Sequence, residues 1–366
     1  GGWGADVGGQ MVLAETDRVD GVRTFLHHRR AQRLLREAVE SLRPDLIWCH
    51  GLAAAWRYLA SDTMSPTQRE QIQDGAELFQ TDWQPRRGDV PVIYDAHELE
   101  ADRTWRWPRQ RLIREWVEME RRLVRVVDRV VTVGHALARR LAADFELVEV
   151  DVITNAPWHP TRLPEAKRSE LRASFPGGGD APILAFAGYT TPDRALDALG
   201  HAYGVLRRER KEAPPHLIVL GTPKEPDVAG ELKAAGAIFG EAPYPWPEEQ
   251  APHLLEYLAA CDVAYNGAWV EFQTWALGAP NKLYEYLFSG TPQVVPRGMV
   301  EFEALRHEHP GIGVSYDGDS VRSLVAALKL VIESPRPAYP TDLVWREAYE
   351  NRNGPVIDAL IERVRR

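Results

Sequence analysis

Cysteine is almost missing from this chain. Of 366 residues only Cys49 and Cys261 carry a thiol, and each sits inside an apolar run. Two such residues exclude a disulfide framework and read as buried free thiols, so a reducing, cytoplasmic setting is expected. An excess of positive charge is missing too. Lys and Arg number 44 against 53 Asp and Glu, a net charge of −9, which argues against a nucleic-acid partner and its basic face. No apolar stretch approaches the ~18–20 residues of a membrane span, and no leader peptide is visible, so a soluble protein is expected. There is no Gly-x-Ser-x-Gly element, Walker loop or dinucleotide fingerprint. Metal-ligand spacing is lacking: His27, His28 and His201 have no partners at such intervals. Asp317-Gly318-Asp319 reads as a turn and helix cap. Neither a metal nor a cofactor is expected.

What is present is an alternation. Apolar residues make up 44% of the chain, and its length suggests two domains, since single cores stop growing near ~250–300 residues. Short apolar runs at Asp45–His50, Val92–Asp95, Arg129–Val133, Val150–Thr154, Pro182–Ala187, Leu217–Leu220, Asp262–Tyr265, Gln293–Val295 and Gly313–Tyr316 predict strands. Several are continuous rather than alternating, as in strands buried on both faces of a parallel sheet. Between them lie helical stripes, such as Leu196, Leu199, Ala202 and Leu206, or Val321, Leu324, Val325, Leu328, Val331 and Ile332. The pattern predicts an α/β protein of two Rossmann-like, doubly wound parallel sheets. The turn-rich Asn155–Pro160 segment places the division at 158/159, giving domains 1–158 and 159–345, with 346–366 turning back onto the first. The Gly-rich opening, Gly1 to Gly9, precedes any strand, so the first strand is expected to be missing or disordered. The segment Ser61–Gly88 is long for a connection and reads as an acceptor lid. Arginines from Arg103 to Arg125 stand among Trp105, Trp107 and Trp116; they form either a solvated face or a peripheral contact with anionic lipid or a phosphorylated acceptor.

The strongest local signal runs from Gly278 to Pro292. Pro280 and Asn281 start a helix with Asn281 as N-cap, and Gly290 ends it. A helix N-terminus suits a diphosphate, and Lys282 in its first turn gains little structurally there because it opposes the helix dipole. Glu285, one turn further, is able to accept two ribose hydroxyls. An ordinary capped helix with a surface Lys–Glu pair is the plain alternative.

Asn281–Pro292 resembles the donor-site helix of retaining GT-B glycosyltransferases of family four, and four other segments match in the same order: Pro44–Gly51, Val92–Glu98, Asp128–Val133 with Val152–Asn155, and Phe186–Gly188 with Arg194–Asp197. The resemblance covers roughly Arg43 to Val295. It implies a GT-B fold and retaining transfer of a sugar from a UDP- or GDP-sugar to a hydroxyl of a small molecule, natural product or glycan, without a metal. It further implies that Glu285 holds the ribose and that amides near Asn281, Lys282 and Leu283, with Lys282 and Arg194, meet the diphosphate. Gly188 would allow close backbone approach, with Tyr189 beside it, and Gly221 and Phe239 would border the base. His97 would act on the transferring sugar, with His50, Glu98 and His135 toward the acceptor. Two departures stand out: Leu277 replaces a Glu that touches the donor sugar in many relatives, and Tyr189 replaces an Arg. Glu271 or Gln273 is a candidate replacement for the first. A nucleotide-sugar epimerase and a non-catalytic binding protein are the alternatives.

Overall fold

The structure, a computed structural model, describes residues 37–59, 90–105, 110–158, 162–175, 179–221, 225–240 and 251–365. The Gly-rich opening, His27, His28, the lid expected over Ser61–Gly88 and Trp107 lie outside the described residues, as do the side chains of Arg103–Arg114. Of the remaining arginines in that stretch, Arg121 and Arg122 pair with Glu118 at 3.4 and 2.9 Å, which favours a solvated face there. No described helix is long and apolar enough to cross a membrane.

The chain forms two compact units. One comprises the residues up to Ile153 together with Val356–Arg366, and the other Thr154–Pro355. The first crossing thus falls a few residues before the expected 158/159. The two crossings are bonded to each other: the Thr154 amide donates to Asn353 Oδ1 at 2.9 Å and Asn353 Nδ2 donates back to the Thr154 carbonyl at 2.8 Å. Asn353 is fully buried, so this reciprocal amide pairing satisfies polar groups that would otherwise be costly.

In the first unit, β1 (Ile47–His50), β2 (Val92–Ala96), β3 (Arg129–Thr132) and β4 (Asp151–Val152) form a parallel sheet in that order. All five residues of β2 are buried, which explains its apolar character apart from Asp95. Ile93 and Val131 pack with Leu360 and Val356 of the returning helix Tyr349–Arg365, and Arg363 reaches Glu149 at 2.9 Å.

The second unit carries β5 (Ile183–Ala187), β6 (His216–Leu220), β7 (Ile238–Phe239), β8 (Val263–Tyr265), β9 (Gln293–Pro296) and β10 (Gly313–Tyr316). They pair in parallel, in the order β10-β9-β8-β5-β6-β7. Side chains of β5 alternate between two cores. Leu184 and Phe186 face Leu199, Leu206 and Leu328, whereas Ile183, Ala185 and Ala187 face Leu254, Leu258 and Tyr286. That two-residue period, apolar on both sides, is the sequence signal made visible. The strand order reverses between β5 and β8, so the ligand-binding crevice of such a sheet opens at their carboxyl ends.

Both cysteines are buried and free, and burial pushes each thiol up to about 12. Asn281 is not the cap of its helix. Pro280 takes that position and Asn281 is the first helical residue, because Pro280 already has the extended backbone a cap requires. Gly290, at φ +67°, follows the helix in the left-handed conformation that suits glycine. Asp317–Asp319 also needs correction: the side chain capping the next helix is Ser320, accepting from the Ser323 amide at 3.1 Å.

Candidate functional site

At the carboxyl end of β5 the chain turns through Gly188 at φ +126°. Gly221, which ends the neighbouring β6 turn, lies so close that a β-carbon on it would collide with the Gly188 carbonyl oxygen. Helix Asn281–Phe288 is fixed against this turn from below. The Ala187 amide donates to Tyr286 Oη at 2.9 Å, Gln293 Nε2 donates to the Leu283 carbonyl at 2.8 Å, and Asn155 Nδ2 donates to the Ala279 carbonyl at 3.1 Å just before the helix. The helix is therefore tied to three separate segments, by its own Tyr286 side chain to the β5 backbone and by the side chains of Gln293 and Asn155.

Lys282 is not a surface residue. It is 5% exposed, its Nζ stands 5.2 Å from the Phe186 ring centroid, and a β-carbon on Gly188 would come 3.4 Å from that Nζ. Burial pushes its ammonium below the ordinary lysine range, Arg194 adds to the push, and Glu285 and Asp193 oppose it. Burial likewise pushes the Glu285 carboxyl up, against the pull of Lys282. Glu285 Oε2 is buried and accepts no hydrogen bond from the described residues. Such an atom costs about 1–3 kcal/mol and calls for an explanation; a ligand hydroxyl would supply one.

Arg194 ends a short 3-10 turn, Pro192–Arg194, which Ala195 closes in the left-handed conformation at φ +49°. Its guanidinium lies 3.9 Å over the Trp275 ring, and its Nε is 3.5 Å from Asp193 Oδ2. Asp193 is 1% exposed. Its Oδ1 and the Trp275 indole N–H are both buried without a hydrogen-bond partner among the described residues. Asp193 and Trp275 were not among the residues expected from sequence, and Phe186 was named only as part of the matched segment Phe186–Gly188. A Trp six residues before the first helical residue and an acid beside the expected Arg carry no motif of their own; only the fold brings them to the cluster.

The other expected residues of this unit are distributed as follows. Leu283 is fully buried, and its amide is already donated to the Pro280 carbonyl at 2.9 Å, so of the three tip amides expected to meet an anion this one is engaged. Asn281 is exposed and Tyr189 half-buried, the latter with its phenol pushed up by burial. Phe239 lies on the edge strand β7, its ring centroid 5.0 Å from Lys233 Nζ. Glu271 lines a cavity of about 260 Å³ together with Asp197, His201, Trp269 and Asp319.

In the first unit, the parallel register sets His50 at the end of β1 beside Asp95 of β2. His50 Nδ1 approaches Asp95 Oδ2 at 2.7 Å and His97 Nε2 approaches the same oxygen at 3.1 Å. Trp48 Nε1, two residues before His50 on the same strand face, donates to it at 3.1 Å. The imidazole centroids are 5.5 Å apart. Asp95 was missed in the sequence, although a carboxylate within the apolar run Val92–Ala96 was its signal. Burial alone would raise its pKa, but the two histidines hold it far below the usual carboxylate range. Burial pulls His97 down, and the hydrogen bond and charge of Asp95, helped by Glu98, outweigh it, so His97 holds its proton to higher pH than usual. The side chains of His50 and His97 are 60% and 42% exposed, which leaves their outer ring edges open. Glu98 is half-buried next to His97, and His135 is exposed as the first residue of the helix after β3.

Two units, each a purely parallel sheet with helices on it, the second reversing its strand order at the crevice, define the GT-B class of fold. Solved structures bear this out. The chain resembles a sucrose-phosphate synthase from Thermosynechococcus elongatus with a TM-score of 0.64 at 12% identity, over 94% of this chain and 81% of that one. It resembles a UDP-forming α,α-trehalose-phosphate synthase from Burkholderia xenovorans with a TM-score of 0.60 at 13% identity, over 95% and 80%. At such identities the likeness is one of fold. Among curated proteins, an MMP α-(1→4)-mannosyltransferase from Mycolicibacterium hassiacum is 26% identical over 250 residues, 67% of this chain and 56% of that relative. The chain thus spans little more than half the length of that relative. No protein-family model matches it.

Proposed function

We propose that the chain is a glycosyltransferase that moves a sugar from a UDP- or GDP-sugar to a hydroxyl-bearing small molecule, natural product or glycan, with retention at the anomeric carbon. The observation that carries this reading is buried Lys282 beside half-buried Glu285 at the switch point of the second sheet, with a buried carboxylate oxygen, Oε2, that finds no hydrogen-bond partner among the described residues. Its chemistry matches a nucleoside diphosphate. Ribose hydroxyls would donate to Glu285, and the diphosphate would meet Lys282 and Arg194 close to Gly188. In the transfer, the acceptor oxygen bonds to the anomeric carbon as the bond from that carbon to the diphosphate oxygen breaks. The acceptor proton leaves with the phosphate or to solvent. Negative charge grows on the leaving diphosphate, where two fixed cations in a partly water-excluded pocket stabilise it most. We assign this task to Lys282 and Arg194 rather than to a metal.

His97, with its orientation set by Asp95, is proposed to hydrogen-bond the transferring group, and His50, Glu98 and His135 to serve the acceptor. The matched mannosyltransferase and the sucrose- and trehalose-phosphate synthases support transfer between sugars as the reaction class; retention rests on the resemblance of Asn281–Pro292. A second reading, a nucleotide-sugar-binding protein without turnover, is favoured by Leu277, which offers no polar group to a donor sugar. Calorimetry with UDP and GDP tests the first reading. Glu285→Ala should weaken binding by roughly 1–3 kcal/mol, the scale of charge-assisted hydrogen bonds. Unchanged affinity for both nucleotides overturns it.

A further inference from the structure

We propose that His50, Asp95 and His97 form a binding site for a late first-row divalent metal ion of the Zn²⁺ or Co²⁺ type, independent of the nucleotide chemistry of the second unit. The ligand atoms converge: His50 Nδ1 and His97 Nε2 stand 2.7 and 3.1 Å from Asp95 Oδ2, and all three ligand atoms lie within 4.8 Å of one another. Around a tetrahedral zinc, with bonds of about 2.0–2.2 Å, ligand atoms sit about 3.3 Å apart. Two of the separations, at 2.7 and 3.1 Å, therefore need to open by about 0.6 and 0.2 Å.

The parts that must stay and those that must yield are correctly distributed. Asp95 is a fixed strand residue, 5% exposed, and Trp48 donates to the same Oδ2 at 3.1 Å, the kind of outer-shell hydrogen bond that orients a ligating carboxylate. The two imidazoles, on half-exposed side chains, are the groups free to adjust. Without an ion, three N–H groups crowd on one oxygen. An ion would replace the two imidazole bonds by nitrogen–metal bonds and relieve that crowding. Two nitrogens and one carboxylate oxygen select zinc, cobalt, nickel or copper over magnesium or calcium. The solvent side of both rings leaves a fourth coordination position open to water or to a substrate oxygen. An ion held here would also withdraw His97 from the role proposed above, so it would act as a reversible brake on transfer.

The test uses the full chain, stripped with EDTA and titrated with Co²⁺ alone, read by its visible absorption. One equivalent should produce a tetrahedral or five-coordinate band that Zn²⁺ displaces and Mg²⁺ does not. His50→Ala and His97→Ala should each weaken Co²⁺ binding by more than ~100-fold, and Trp48→Phe by ~10-fold, the usual scale for an outer-shell group. His201→Ala and a His27→Ala, His28→Ala double variant should keep the band. If alanine disturbs the fold, His50→Gln removes the imidazole while preserving a bond to Asp95, and it should lose the band equally. No band at one equivalent, or an unchanged band in the His50→Ala, His97→Ala double variant, overturns the site. Since the readout needs neither donor nor acceptor, a bound ion in a chain that transfers no sugar would leave this site standing and remove only the proposed function.

Discussion

The two clusters are built from the same materials and balanced in opposite ways. Each places charged side chains at the carboxyl ends of parallel strands. Around Asp95 every demand of the central oxygen is met by protein: Trp48, His50 and His97 all point at it. Around Lys282 the demands are left open, with buried atoms of Glu285, Asp193 and Trp275 lacking hydrogen-bond partners among the described residues. A self-satisfied cluster keeps its central carboxylate fixed and presents its half-exposed imidazoles to whatever arrives. An unsatisfied one leaves polar atoms open to a ligand, and that asymmetry is why the nucleotide is proposed for the second unit.

The largest expected effect separates chemistry from binding. His97→Ala should lower kcat by about 100-fold, as loss of one donor to a transition state does, while UDP or GDP affinity by calorimetry changes less than about twofold; equal losses in both would make His97 structural. Next comes stability. Asp95→Asn leaves two imidazoles and an indole facing an amide, and should cost roughly 1–3 kcal/mol in urea melts, whereas Glu285→Gln removes the desolvation cost of its carboxylate together with the attraction of Lys282, and these opposing effects should leave stability within about 1 kcal/mol of the parent. Comparable losses in the two variants would erase the contrast drawn above. A third effect is pH-dependent. Lys282 must keep its proton to hold a diphosphate, yet burial makes it release that proton at lower pH than usual. Glu285 must be ionised to accept hydroxyls, yet burial makes it keep its proton to higher pH. Nucleotide affinity should therefore fall on both sides of neutrality, with Lys282→Met losing the alkaline limb and Glu285→Gln the acid limb; a flat wild-type profile would contradict both shifts. The smallest effect is Tyr286→Phe, which removes the acceptor of the Ala187 amide and should cost about 1 kcal/mol by thermal melting.

The strands were legible because both faces of β2 and β5 are buried, which writes Val92–Ala96 and Ile183–Ala187 as apolar runs. β7 was not, since two residues at a sheet edge carry no periodicity. Lys282 and Glu285 could be picked out by their place on a helix, a local property. Their burial could not, because it depends on Phe186 and Gly188, about a hundred residues earlier. Asp95 escaped for the same reason: its meaning arises only when β1 lies beside it in register. Trp275 depends on where Arg194 falls, and nothing within its own segment announces that.

The helix Tyr349–Arg365 belongs to both units, with Leu360 in the core of the first. Anyone wishing to express that first unit separately therefore cannot simply stop the gene after Ile153. Residues Val356–Arg365 would have to be stitched back through an artificial linker, or the excised fragment would present an open apolar groove over Ile93 and Val131 and collect into aggregates.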